Sequence, residues 1–375
     1  AATDESGLAT TYSHWGTGIL VAAPAGSYTA DRTGSAGYSA GDYTDTFNGT
    51  SAATPIVSGV VALMLEANQN LGWRDVHNIL GYSAAQTGSD YGSPGAVPEV
   101  TNWSSNDATT WNGGGVSYNL SYGLGMVDAY AAVRMAEAWG LFYDDPMTSG
   151  AAGNEEHVSA SYTGAAVAIP DYDGSLGSVE LSLVVDENIM IETAMVTIDV
   201  THSWGGDLTL WLISPDGEET PFYIRESDGF NFFAKNSLFG EDTRMDDGFE
   251  WTFEFTVLRG SDSAGEWRLR VEDHAAEDTG IVTGFSIDFF GSEATDNDIY
   301  HFTDDFLQLS SVDTERTTID GGNGIDWMNL VAVSGDVVLD LSSSTDNLSV
   351  GGSIWASIAR GSMENVAAGD GDDIL

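Results

Sequence analysis

Apolar positions along this chain change their period twice, and the changes mark its parts. From Ile56 to Leu65 nearly every residue is apolar, with Ile56, Val57, Val60, Val61, Leu63, Met64 and Leu65 spread around a helical wheel. Such a run predicts a helix of about 17 residues that is buried all round rather than amphipathic, a rod of roughly 25 Å. Asn48-Gly49 predicts a turn before it, and Thr50 and Ser51 place hydroxyls where the helix begins. Upstream, Gly18 to Gly26 is a short apolar run closed by Pro and Gly, the pattern of a strand in a parallel sheet. Downstream, residues 74–80 read as a second helix. Ala129, Ala132, Val133 and Ala136 fall at helical spacing inside a closing helix from Val127 to Trp139. The polar stretches 26–47 and 102–119 read as loops.

Past an acid- and glycine-rich linker at 144–156 the period becomes two. Ala194–Val200, Leu208–Ile213, Trp251–Phe255 and Trp267–Val271 read as strands, and the Gly- and Asp-containing turns between them predict an antiparallel sandwich. From Asp296 the pattern shifts again, to short apolar strands between glycine-rich turns.

Charge changes the picture of what this chain can meet. It carries 58 acidic residues against 11 basic ones, a formal charge of −47, so nucleic acid and anionic membrane are excluded as partners by repulsion. No apolar stretch is expected to reach the roughly 18 residues needed to span a bilayer. So much carboxylate asks for counter-ions, and calcium is the candidate cofactor. The chain has no cysteine, so hard cations would take the bracing role that disulfides play in extracellular proteins. Its 375 residues, 42% hydrophobic, are enough for two or three domains.

The chemistry centres on Ser51. A serine at a helix N-terminus has its own N–H in the positive end of the helix dipole, where an oxyanion would be stabilised. Gly49-Thr50-Ser51-Ala52-Ala53-Thr54-Pro55 resembles the Gly-Thr-Ser-x-Ala-x-Pro signature around the nucleophile of subtilisin-like serine proteases. Leu65 to Asp75 is similar to the Leu-Glu-Ala-Asn-x-Asn-Leu-x-Trp-Arg-Asp segment of the kexin and furin branch, the proprotein convertases. Ser121 to Ala129 resembles that family's Tyr-Gly-x-Gly-x-x-Asp-Ala segment. Between about Glu180 and Gly291 the chain resembles the convertase P domain. The matching pieces are His202 to Leu208, the Ser214-Pro215-Asp216-Gly217 hairpin and the Gly265-Glu266-Trp267-Arg268-Leu269 strand. Gly321 to Asn329 and Ala368 to Leu375 resemble the calcium-binding nonapeptide of RTX proteins.

These resemblances imply an α/β subtilisin-like catalytic domain, its C-terminal part only, over 1–142. A linker and all-β P-domain sandwich follow over 143–292, then the start of an RTX-like β-roll over 293–375. They imply a serine endopeptidase acting on peptide or protein substrates through an acyl-enzyme on Ser51. They also imply calcium at Asp326 and Asp373 with carbonyls of Gly321, Asn323, Ala368 and Asp370, and a tail that stays expanded until calcium binds. Extracellular location and bacterial type I secretion machinery belong to the same reading. In this family the triad runs Asp, His, Ser, and only His14 precedes Ser51. Its setting, Tyr12-Ser13-His14-Trp15-Gly16, is unlike the His-Gly-Thr setting of the family's base. The chain is therefore expected to be a fragment lacking the Asp, the His and the oxyanion Asn, and inactive alone. Convertases carry Glu after the Tyr-Ser pair to help hold a calcium under the specificity pocket. Here His14 stands there, which implies a weaker preference for paired basic residues. The alternative is a non-catalytic calcium-binding or adhesion protein carrying a decayed protease module.

Overall fold

The computed structural model describes residues 1–96, 98–109, 111–225, 248–341 and 346–375. It forms two compact units, one made of 1–155 with 295–375 and the other of 156–294. The linker and the tail, read from composition as separate from the first segment, both fall within the first unit.

In residues 1–155, β1 (Ala2–Thr3) and β2 (Ala23–Pro24) pair in parallel, as the Gly18–Gly26 pattern predicts, though over fewer residues. The stretch read as a loop before Ser51 is instead an antiparallel hairpin of β3 (Ser27–Ala30) and β4 (Tyr43–Phe47). α1 then runs from Thr50 to Ala67. Through Ala53, with Ile56 and Val57, its inner face packs on an alanine-rich layer of Ala2, Ala23 and Ala25, where small side chains let helix and sheet approach closely. The expected all-round burial does not hold: only Ala52, Ala53, Val60 and Met64 are buried, while Leu63 and Leu65 are 49% and 40% exposed. No described element covers the outer face. With 18 residues and a mean hydropathy of 1.4, α1 also has the length and composition to cross a membrane, which corrects the count of apolar stretches above. α2 (Trp73–Tyr82) and α3 (Ala129–Ala138) follow, joined by a loop containing the short hairpin of β5 (Ser104–Ser105) and β6 (Ser117–Tyr118). Asp128 caps α3 by accepting the Ala131 N–H at 2.9 Å.

The second unit is the expected sandwich. Its strands are β7 (Glu156–Ser161), β8 (Val167–Ile169), β9 (Gly177–Val185), β10 (Ile189–His202), β11 (Leu208–Ile213), β12 (Glu219–Tyr223), β13 (Phe249–Phe255), β14 (Gly265–Asp273) and β15 (Gly280–Glu293). One sheet has the order β13-β10-β15-β7 with β8 on β15, the other β12-β11-β14-β9, and all pairs are antiparallel. Period-two alternation puts Ala194, Val196, Ile198 and Val200 of β10 inside, facing Leu208, Leu210 and Leu212 of β11 across the core. Trp267 is fully buried with its ring 5.0 Å from that of Phe289. Burying each such side chain contributes roughly 2 kcal/mol. His202, the last residue of β10, is buried: its Nδ1 lies 2.8 Å from the Trp204 carbonyl oxygen, and its Nε2 lies 3.6 Å from Asp273 Oδ2.

Residues 295–375 return to the first unit. β16 (Ile299–His301), α4 (Phe306–Val312), β17 (Thr318–Ile319), β18 (Trp327–Asn329), β19 (Val337–Val338), β20 (Asp346–Val350), β21 (Ser353–Ile358) and β22 (Asn365–Ala367) coil so that β16, β18 and β22 stack in parallel. A second sheet has the order β17-β21-β20-β19. Between them lies a core including Phe302, Phe306, Met328, Leu330, Leu348 and Trp355. The members of this core are scattered singly along turns and short strands, so no period marks them in the sequence.

Candidate active site

Ser51 is the second residue of α1 and is exposed. Gly49 is the N-cap, at φ 94°, a conformation that side-chain-bearing residues rarely adopt. No side chain caps the helix, so the Ser51 hydroxyl is not spent on the helix end, contrary to the capping role open to it from sequence. The Ala52 and Ala53 N–H groups turn back to the Gly49 carbonyl at 2.9 and 3.2 Å. Among the described residues the N–H groups of Thr50 and Ser51 have no acceptor, so both are free for a ligand oxygen. Pro55 lies inside the helix and has no N–H to give the Ser51 carbonyl. The result is an exposed hydroxyl beside unspent donors at the positive end of a helix of about 27 Å. That arrangement can hold an oxyanion formed on the serine, but it cannot remove the serine's proton. None of the six histidines hydrogen-bonds Ser51 among the described residues. His14 is exposed, and His77 stands edge-on to Trp73 at 5.3 Å.

Three hubs hold the surrounding loops, and of these only Asp75 lies in a segment singled out from sequence. Asp75, 1% exposed, accepts the Gly72 N–H at 2.7 Å, the Trp139 indole N–H at 2.7 Å and the Met147 N–H at 2.9 Å. Arg74 beside it donates to the carbonyls of Thr148 and Gly153, which is why the linker belongs to the first unit. Glu99, also buried, accepts the Ser89 N–H and hydroxyl, the Ala96 N–H and the Tyr122 hydroxyl. Burial, then the bond to Glu99, pushes the Tyr122 phenol up from its ordinary range. Arg316 is fully buried, donating from Nε to Asp313 at 2.7 Å and bonding Asn112 and the Gly115 carbonyl, with Trp111 5.7 Å away beneath it. An aspartate three residues into a helix is a legible helix-start signal. The partners of Arg316 are not legible, because Asn112 and the Gly115 carbonyl lie 204 and 201 residues off in sequence; those of Glu99 lie 3 to 23 residues away but follow no period.

The glycine motifs lie on different corners of the coiled segment. At the first, Asp326 is 1% exposed and its Oδ1 accepts the Asp298 N–H at 2.7 Å. A Cβ on Gly321 would sit 2.4 Å from Asp326 Oδ2, so only glycine lets the turn close over that carboxylate. Burial raises the Asp326 carboxyl, with the charges of Glu364, Asp296 and Asp320 adding to the rise. At the second corner, Asp373 Oδ1 accepts the Val337 N–H at 2.8 Å, while Asp370 pairs with Arg134 at 2.8 Å. The structure thus does not bring Asp326 and Asp373 together. Among the described residues no three His, Asp or Glu side chains converge as a metal cage. As arranged, Asp326 and Asp373 each accept a backbone N–H of the neighbouring coil.

Comparison with known proteins matches this architecture. Residues 1–125 match the subtilase family and residues 191–289 the proprotein convertase P-domain. The chain carries a subtilase segment joined to a proprotein convertase P domain, and its homologues are proteases of that class. Over 310 residues it is 28% identical to a calcium-dependent protease of Trichormus variabilis, covering 77% of this chain and 40% of that protein. It is 27% identical over 262 residues to human furin, covering 66% of this chain and 27% of furin. The chain thus spans at most two fifths of the length of these relatives. Among solved structures, the Aeromonas sobria serine protease shares the fold with a TM-score of 0.57 and 22% identity, over 78% of this chain and 57% of that one.

Proposed function

We propose that this chain carries the nucleophile of a secreted, calcium-dependent serine endopeptidase of the kexin branch. Ser51 attacks the scissile carbonyl of a peptide or protein substrate and forms an acyl-enzyme, while the N–H groups at the start of α1 bind the oxyanion. The observation that carries the reading is the exposed, unspent Ser51 hydroxyl at that helix end, within a segment matching the subtilase family. A base and its orienting carboxylate come from outside the described residues, so the chain alone does not hydrolyse peptides.

Calcium enters through the relatives' named dependence on it. The proposed positions are the two glycine turns taken separately, Gly321, Asn323 and Asp326 in one, Ala368, Asp370 and Asp373 in the other. Filling either would exchange a carboxylate–N–H bond for a cation contact. Export through type I secretion machinery rests on the same motifs.

The test is fluorophosphonate labelling of the complete protein, with the label mapped by mass spectrometry. Labelling at Ser51, and a loss of about 10⁶ in turnover in Ser51→Ala, are expected, the size known for a subtilisin nucleophile. Retention of more than about one percent of activity by that variant would exclude Ser51 as nucleophile. A complete protein that neither labels nor cleaves would favour the decayed module.

A further inference from the structure

A cleft of about 210 Å³ opens at the far end of α1, bordered by Asn70, Asp75, Trp139, Tyr143, Asp144 and Asp145. Ser51 lies at the opposite end of the same 18-residue helix, roughly 27 Å away, so the cleft takes no part in its chemistry. Three carboxylates line it and no basic side chain does. Asp75 has given its oxygens to three N–H donors and contributes only its charge. Asp144 and Asp145 are consecutive and exposed, and neither has a hydrogen-bond or ion-pair partner among the described residues. The indole and phenol rings of Trp139 and Tyr143 lie 4.8 Å apart, tilted by 33°.

We propose that this cleft binds the guanidinium group of an arginine side chain. Carboxylates with no basic side chain among the lining set the sign of the ligand's charge, and the half-buried Tyr143 ring, backed by the buried Trp139, sets its kind. A guanidinium offers a flat face to aromatic rings and a fork of N–H donors to a carboxylate pair. A lysine ammonium has neither the plane nor the fork. Calcium would need six to eight oxygens at about 2.3–2.6 Å, and a ring-lined cleft of this size does not close around a bare ion. The ligand arrives either as a free arginine derivative or as a residue of a polypeptide, and in the second case the cleft is an exosite remote from Ser51. This site does not depend on Ser51 being a nucleophile.

Equilibrium binding to the whole chain at physiological salt tests it. The probes are acetyl-arginine-amide and alanine pentapeptides with a central arginine, lysine or norleucine. Saturable binding of the arginine probes is expected, weaker binding of the lysine peptide, and none of the norleucine peptide. Asp144→Asn with Asp145→Asn weakens arginine binding by about tenfold or more, equivalent to about 1.4 kcal/mol. Both residues are exposed, so the fold tolerates the change. Because so acidic a chain attracts cations everywhere, Asp186→Asn with Glu187→Gln in the sandwich unit serves as the control and leaves affinity unchanged. Much tighter binding of the arginine peptide than of the amide identifies a polypeptide ligand, and equal binding shows that the side chain suffices. Absence of saturable binding overturns the proposal. So do equal losses in the two double variants, or displacement of arginine by calcium at matched ionic strength.

Discussion

The imidazole of His301 lies 4.7 Å from the ring of Tyr82 and 12° from parallel to it, with Trp139 stacked 5.7 Å away. Tyr82 and Trp139 belong to helices of the first 155 residues, and His301 to the coiled segment that begins at Thr295. The Asn329 amide faces His301 Nδ1 at 2.9 Å. This stack helps join segments that composition separates.

Burial holds the His301 imidazole neutral, lowering it from 6.5 to about 3. Between those values the unfolded chain takes up a proton that the folded chain refuses. Stability therefore rises with pH across that window and is lost as pH falls, at about 1.4 kcal/mol per pH unit for one proton. Asp305 and Asp326, raised by burial, act in the opposite sense. The difference between the wild type and His301→Phe isolates the histidine. Denaturant unfolding from pH 4 to 7 should show a shallower rise in the variant, and parallel curves would show that His301 takes no part.

Arg316→Met should destabilise the first unit by about 3 kcal/mol. It removes a fully buried cation and leaves the Gly115 carbonyl and the Asn112 amide oxygen short of a donor. Arg316→Lys should recover little, since an ammonium cannot span three acceptors set for a guanidinium. Hydrogen exchange should rise in 104–118 and 313–319 together, whereas a local role would raise only one of them.

Asp75→Asn keeps the shape but turns an amide toward donors that need acceptors. A loss of about 3 kcal/mol is expected, because hydrogen bonds to a charged acceptor contribute about 1.5–3 kcal/mol each. The Trp139 indole reports it directly: its N–H resonance should shift and its exchange quicken, while the sandwich unit keeps its unfolding midpoint.

Calcium should change the glycine turns if it binds there. Titration is expected to protect the amides of 321–326 and 368–373 against exchange, with midpoints in the millimolar range typical of extracellular sites. Asp326→Asn should remove the effect from the first turn and leave the second, since the two lie on different corners. Protection unchanged by calcium in both turns would reduce the motifs to structural corners.

Sequence by itself determined the elements whose signals are local. The turn at Asn48-Gly49 and the apolar run after it located α1 and put Ser51 at its start, because helix punctuation acts within a few residues. Period-two alternation gave the sandwich, because one buried face dictates every second side chain. Tertiary structure alone decided which apolar residues are covered. Leu63 and Leu65 look as buried as Met64 in sequence, yet burial depends on what packs against a helix, and no described element reaches their face. It alone decided that the polar stretch 27–47 pairs as a hairpin. It also returned the segment from Thr295 to the first unit, through Arg316 on the Gly115 carbonyl and His301 on Tyr82. Those contacts join residues some two hundred positions apart. A lone arginine or histidine carries no period to reveal its partner, and only the folded chain brings the two together.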